Sequence, residues 1–212
     1  MSLFNFNAIK NANAPLLERY RHAATPQEAI AIIDECSQDR TPEAIAPLLE
    51  ALNHHHPNVP PAAIRALVEL APQSVDPLIR AYHASTDQSV QARIIQALAR
   101  IGDPGAVDVL IDVVGVSIAN HCQGNVRRVA ARGLGQIGCN AEGDITRQAI
   151  AKLTWALGSP EDWALRYAAA VSLGEIGTPE AIAALQQAAN HETDAIVQLR
   201  IQTAVERSSN GN

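Results

Sequence analysis

Val126-Arg127-Arg128-Val129-Ala130-Ala131-Arg132-Gly133-Leu134-Gly135-Gln136-Ile137 sets apolar or small residues at 126, 129, 130, 133, 134 and 137. Offsets of 3, 4, 7, 8 and 11 from the first residue trace one face of an α-helix. The same offsets recur outward in both directions. Toward the N-terminus they give Val90, Arg93, Ile94, Ala97, Leu98, Ile101 and, before that, Val59, Ala62, Ala63, Ala66, Leu67, Leu70. Toward the C-terminus they give Leu165, Ala168, Ala169, Ser172, Leu173, Ile176 and a sparser row of Val197, Arg200, Ile201, Ala204, Val205. The residue at offset 7 is always small and the one at offset 8 is always Leu or Val. A small residue at a fixed place lets a neighbouring helix approach closely, so the rows are expected to pack on one another.

The residues at offset 8, Leu67, Leu98, Leu134, Leu173 and Val205, are 31, 36, 39 and 32 residues apart. A helix precedes each row, over 42–53, 75–85, 105–118, 145–157 and 179–189. Thr25-Pro26-Gln27-Glu28, Thr41-Pro42-Glu43, Asp103-Pro104 and Thr178-Pro179-Glu180 read as helix starts, with a capping oxygen followed by proline. Ile101-Gly102, Ile137-Gly138 and Ile176-Gly177 read as glycine stops. Two helices per period of thirty-odd residues predict an all-α fold, an α-solenoid of about five helix pairs resembling HEAT repeats. Residues 1–24 form a polar lead-in, 25–208 a single repeat domain and 209–212 a tail.

Composition agrees and excludes several functions. Hydrophobic residues make up 47% of the 212-residue chain but aromatics only 3%, a balance that suits close-packed helices better than sheets. A net charge of −6 argues against a nucleic-acid partner, which needs clustered Lys and Arg. No apolar run approaches the ~20 residues that span a bilayer, and the first residues do not read as a secretory signal. Cys36, Cys122 and Cys139 are odd in number and form no CxxC pair. A reducing, cytoplasmic setting is therefore expected. His54-His55-His56 sits at a turn beside Pro57 and cannot aim three rings at one ion, so no metal site is expected.

The two longest spacings flank the third row. The extra residues fall between Val114 and Asn125 and between Cys139 and Asp144, so Asn120-His121-Cys122-Gln123-Gly124-Asn125 is expected in the longest irregular stretch. Insertions in solenoids often mark the binding side. A loop His and a half-buried Cys without a role is one reading of this pair. The other is a reactive pair: a helix N-terminus, Arg127 and Arg128 would stabilise a thiolate at Cys122, and His121 could exchange protons near neutral pH.

Arg127 and Arg128 follow the first core residue of their row and are expected to project off the packed face. Arg166 and Tyr167 occupy the equivalent sites one repeat later. Such arginines either pair with acids between repeats or clamp carboxylates, to which guanidinium offers paired donors. Trp163 either packs at its helix entry or stacks on a flat conjugated ligand. Trp155, after Ile150 and Leu153, is expected in the core.

The run Asn120-His-Cys-Gln-Gly-Asn-Val-Arg-Arg-Val-Ala-Ala-Arg-Gly-Leu-Gly and the run Asp162-Trp-Ala-Leu-Arg-Tyr-Ala-Ala-Ala-Val-Ser-Leu resemble the HEAT-like E/F-type phycobilin lyases of cyanobacteria. The likeness covers most of the chain and is to an F-type subunit. The Asn-His-Cys-Gln-Gly-Asn motif resembles that of the lyase/isomerases acting on the phycoerythrocyanin α-subunit. The resemblance implies a heterodimer with an E-type subunit. Such an enzyme attaches phycocyanobilin by thioether to a cysteine of an apo-phycobiliprotein α-subunit and isomerises it to phycoviolobilin. Two alternatives are a phycocyanin-type F subunit without isomerase activity and a non-catalytic HEAT adaptor or chaperone. No prosthetic group is implied, the bilin being substrate. His121 and Cys122 would be catalytic, as proton shuttle and transient nucleophile. Asn120, Gln123, Asn125, Arg127, Arg128, Trp163, Arg166 and Tyr167 would hold the bilin.

Overall fold

The computed structural model describes residues 15–115, 121–159 and 162–210, without the side chains of 121–123 and 209–210. Among these residues the chain forms twelve α-helices and no strand. They are α1 (Leu16–Arg21), α2 (Pro26–Asp39), α3 (Ile45–Ala51), α4 (Val59–Glu69), α5 (Val75–Ala84) and α6 (Gln88–Ile101), then α7 (Val107–Gly115), α8 (His121–Asn140), α9 (Asp144–Leu157), α10 (Trp163–Ile176), α11 (Pro179–Ala189) and α12 (Ala195–Asn210). Short 3-10 turns at Pro42–Ala44 and Pro104–Ala106 lead into α3 and α7.

The starts follow the cap chemistry. Thr25 Oγ1 accepts from the Glu28 N–H at 3.2 Å, and Glu28 Oε2 reaches back to the Ala24 N–H at 2.8 Å. Thr178 Oγ1 accepts from the Ala181 N–H and Asp103 Oδ1 from the Gly105 N–H. Each such cap is worth about 1 kcal/mol. Thr41 differs: its hydroxyl donates to Asp39 and a 3-10 turn follows. Gly102 and Gly177 both have φ +65°, the left-handed conformation that ends a helix without a Cβ clash. Gly138 does not stop its helix, because α8 runs on to Asn140. A Cβ at Gly138 would lie 2.5 Å from Ile176 Cδ1, so this glycine makes room for α10 instead.

The chain divides into two compact units, one ending at Ile94 and the other beginning at Ile95. In the first, α2 packs on α1, α3 and α4, and α3 on α4 and α5. In the second, α8 packs on α7, α9 and α10, α10 packs on α12, and α9 touches α7 and α11. Second helices thus lie against second helices and first against first, the two-layer ladder of a solenoid. The aligned rows supply the cores: Ala63, Leu67, Ile94, Leu98, Ala130, Leu134, Ala169, Leu173 and Ile201 are all fully buried. At Gly133, the small position of the third row, the approach is close: a Cβ would lie 2.7 Å from Ala99 Cα and 2.8 Å from Leu110 Cδ1.

Trp155 is not in the core. It is 51% exposed, with Lys152 Nζ 4.4 Å above its ring. The inward stripe of α9 is Ile150, Leu153 and Leu157. Trp155 lies two residues past Leu153, a rotation of about 200° that carries it to the opposite side.

Candidate functional site

The site assembles in the second unit, where the start of α8 meets the start of α10. Among the described residues α8 runs from His121, so His121 and Cys122 are helical rather than part of the irregular stretch expected for them. Helical hydrogen bonding extends five residues upstream of Val126, taking up length that the spacing had assigned to a loop. The side chains of His121, Cys122 and Gln123, and all of Asn120, lie outside the described residues.

Arg127 and Arg128 diverge. Arg127 does not project off the packed face: it is 6% exposed, and its Nε donates to the Val114 carbonyl at 2.9 Å. Burial pulls its pKa below the ordinary guanidinium value; Asp162 opposes that shift and Arg128 adds to it. A buried carbonyl at the end of α7 draws this arginine inward, because α8 crosses α7 there. Arg128, one residue on, is half-exposed. Its Nη1 donates to Asn125 Oδ1 at 3.1 Å and its Nη2 to Asp162 Oδ1 at 3.3 Å. Gly124 leaves space beneath it, since a Cβ there would sit 3.5 Å from Nη2.

Asp162 is the functional group that the sequence reading passed over. It caps α10, with Oδ1 accepting from the Leu165 N–H at 3.0 Å, and is only 4% exposed. Its position three residues before an apolar row residue was a legible cap signal. Among the described residues, its Oδ2 and Arg128 Nε are both buried without a hydrogen-bond partner. One turn further along α8, Arg132 donates to Ser172 Oγ at 3.0 Å and to Glu175 Oε1 at 2.8 Å, a second tie from α8 to α10.

Trp163 and Tyr167 stand one helical turn apart on α10 and are 50% and 37% exposed. Neither packs into the core, and their planar faces are available. Tyr167 occupies the repeat position of Arg128, so a cation and an aromatic ring hold matching sites on adjacent second helices. Arg166, the repeat equivalent of Arg127, is committed elsewhere. It grips Glu192 with two donors, at 2.8 Å and 3.0 Å, and its Nη1 donates to the Ser159 carbonyl at 3.0 Å. This hydrogen-bonded fork raises the arginine pKa and lowers that of the glutamate. Glu192 Oε1 also accepts from the Thr193 and Asp194 N–H groups. The pair walls a cavity of about 440 Å³ with Thr154, Leu157 and His191.

The expected binding residues therefore separate. Asn125 and Arg128 join at Asp162, which caps α10, and Trp163 and Tyr167 stand exposed on that same helix. Arg127 turns to α7, and Arg166 to the loop before α12. A half-exposed guanidinium on one helix and two exposed rings on the next are the groups that suit a flat, conjugated anion.

A family model described as HEAT repeats matches residues 13–83, 62–117 and 115–206. The chain is 56% identical to the bilin biosynthesis protein PecF of Nostoc sp. PCC 7120, over 77% of this chain and 95% of that one. It is 50% identical to the PecF of Mastigocladus laminosus, over 91% and 93%. The solved complex of CpcE and CpcF of phycocyanin lyase from Nostoc sp. PCC 7120 contains a chain that superposes with a TM-score of 0.65 at 28% identity, covering 76% of this chain and 97% of that one.

Proposed function

Since this chain belongs to the HEAT-repeat bilin biosynthesis proteins, we propose that it is the F-type subunit of a heterodimeric phycobilin lyase/isomerase. With an E-type partner it attaches phycocyanobilin through a thioether to a cysteine of an apo-phycobiliprotein α-subunit and converts the bilin to phycoviolobilin. The observation that carries this reading is the identity of half or more of its residues with two PecF proteins along most of its length. The exposed Trp163 and Tyr167 rings on α10, the helix whose cap Asp162 holds Arg128, support it, being suited to a conjugated chain with propionate side groups. We place its work in the cytoplasm, in keeping with the free thiols of Cys36 and Cys139.

In this reading attachment and isomerisation are separable. Attachment requires the bilin to be held near the acceptor thiol, which is a matter of proximity. Isomerisation also moves a proton between carbons of ring A while the formula stays unchanged, and it needs an acid/base group within reach. His121 is proposed as that group and Cys122 as a transient nucleophile. Asn120, Gln123, Asn125, Arg128, Trp163 and Tyr167 are proposed to hold the bilin. Arg127 and Arg166 are proposed to serve it through the walls of the site.

Co-expression with an E-type subunit, an apo-α-subunit and phycocyanobilin tests this. The unmodified chain is expected to yield the phycoviolobilin product. Cys122→Ser and His121→Leu are expected to leave attachment measurable while the product absorbance moves to the red, toward phycocyanobilin. If both variants give the violobilin product at the unmodified rate, the pair does not isomerise. If the unmodified chain attaches phycocyanobilin unchanged with every E partner, it is a lyase of the phycocyanin kind, the alternative to which the CpcE–CpcF resemblance points.

A further inference from the structure

The contact between Arg128 and Asp162 is incomplete in a specific way. A guanidinium edge and a carboxylate can meet through two parallel hydrogen bonds. Here one long contact of 3.3 Å joins Nη2 to Oδ1, and one donor, Arg128 Nε, and one acceptor, Asp162 Oδ2, are left over, both buried. Asp162 is only 4% exposed and its Oδ1 is already committed to the Leu165 N–H. A buried acceptor without a donor is costly, and a native structure keeps one where something else completes it. Its complement is a group that offers an N–H and a C=O on adjacent atoms.

We propose that the Arg128–Asp162 pair recognises a terminal lactam ring of the bilin, whose N–H donates to Asp162 Oδ2 and whose C=O accepts from Arg128 Nε. The proposal rests on the bilin reading above. The end rings of an open-chain tetrapyrrole are lactams, with N–H and C=O on neighbouring atoms. Propionates, which only accept, would satisfy Arg128 and leave Asp162 worse off. Trp163 follows Asp162 directly in the chain and Tyr167 lies a turn beyond, so a ring held by this pair has conjugated neighbours to lie against. Access follows from the same geometry. The Arg128 side chain is 38% exposed, and releasing its contacts to Asn125 and Asp162 opens the pair to a ligand.

Absorbance titration of the complete heterodimer tests this with two probes, phycocyanobilin and its lactim ether, in which O-alkylation of the terminal rings removes their N–H. The unmodified complex is expected to bind phycocyanobilin about ten-fold or more tighter than the ether. Asp162→Asn keeps a capping oxygen for Leu165 but turns an NH2 toward the lactam N–H, donor against donor. It is expected to abolish that preference. Arg128→Gln, at a half-exposed site, is expected to act in the same direction and carries the test should Asp162→Asn fail to fold by circular dichroism. If the unmodified complex binds both probes equally, the lactam assignment is overturned and the bilin reading stands. If it binds neither, the bilin reading falls and takes this inference with it.

Discussion

Cys36 and Cys122 are both cysteines of an Ala-rich helical chain, yet they belong to different chemistry. Cys36 is fully buried on α2, and burial, reinforced by Glu35 and Asp39, pushes its thiol up to about 11. A thiol in that state is inert. Its raised pKa means that the folded chain holds the proton more tightly than the unfolded one. The stability this confers is therefore fully present below the ordinary thiol value near 9 and is lost as pH climbs through about 11. Alkaline denaturation followed by circular dichroism is expected to begin earlier in the native chain than in Cys36→Ala measured against its own neutral-pH stability. A thiol reagent at neutral pH is expected to modify the exposed Cys139 and to spare Cys36 until the chain unfolds. At the same scale, Arg127 and Arg128 show where residue type stops being informative. Both follow a core position, and the sequence gives them one description. Which of them turns inward depends on the Val114 carbonyl, a group supplied by a different helix and invisible in the local pattern.

The element scale is where the sequence was most legible. Helical periodicity located each second helix because burial imposes it: the residues at offsets 4 and 8 in the rows from Ala63 to Leu173 are all fully buried. Cap chemistry located Thr25 and Thr178 because a hydroxyl three residues before a free N–H has one good use. Glycine was ambiguous, since the same residue ends a helix at Gly102 and lets two helices meet at Gly138. Only the neighbour, Ile176 in the second case, decides between the two. Residues 121–125 were misread for a related reason: Asn-His-Cys-Gln-Gly-Asn carries no apolar stripe, and pattern alone made it a loop. In the site, the exposed rings and Arg128 could be found from the sequence, whereas the buried partner Asp162 could not be ranked above any other cap. Close approach at the small positions gives an element-scale test. Gly133→Ala would press a methyl into Ala99 and Leu110. Overpacking of this kind costs about 1–3 kcal/mol, and the melting temperature is expected to fall accordingly. An unchanged melting temperature would mean that α8 and α6 are not packed as closely there as described.

At the scale of the whole molecule, a chain carrying a net charge of −6 is expected to bind a dianionic pigment through local arginines rather than through its overall field. Its second unit is laced by carboxylate–guanidinium ties that run between successive repeats, Arg132 to Glu175 and Arg166 to Glu192. Glu192 is the tie with a pH signature. Its pKa is lowered chiefly by the hydrogen bonds from Arg166, so its contribution is present above the ordinary carboxylate value and disappears as pH falls through the lower, folded value. Glu192→Gln is expected to lower stability near neutral pH and to flatten the acid limb of a denaturation profile. An acid limb identical to that of the unmodified chain would assign acid sensitivity to other groups. The placement of the two tryptophans carries a consequence of an optical kind. Trp155 and Trp163 are the chain's full complement, and each is about half exposed, one under Lys152 on α9 and the other at the entry to α10. Their emission can be separated by a single Phe substitution that leaves the packed stripes untouched. With Trp155→Phe the remaining indole stands at the proposed contact with pigment and should lose most of its fluorescence on contact. With Trp163→Phe the remaining one stands off that surface and should dim less. The chain thus carries its own pair of lamps, one at the bench and one across the room.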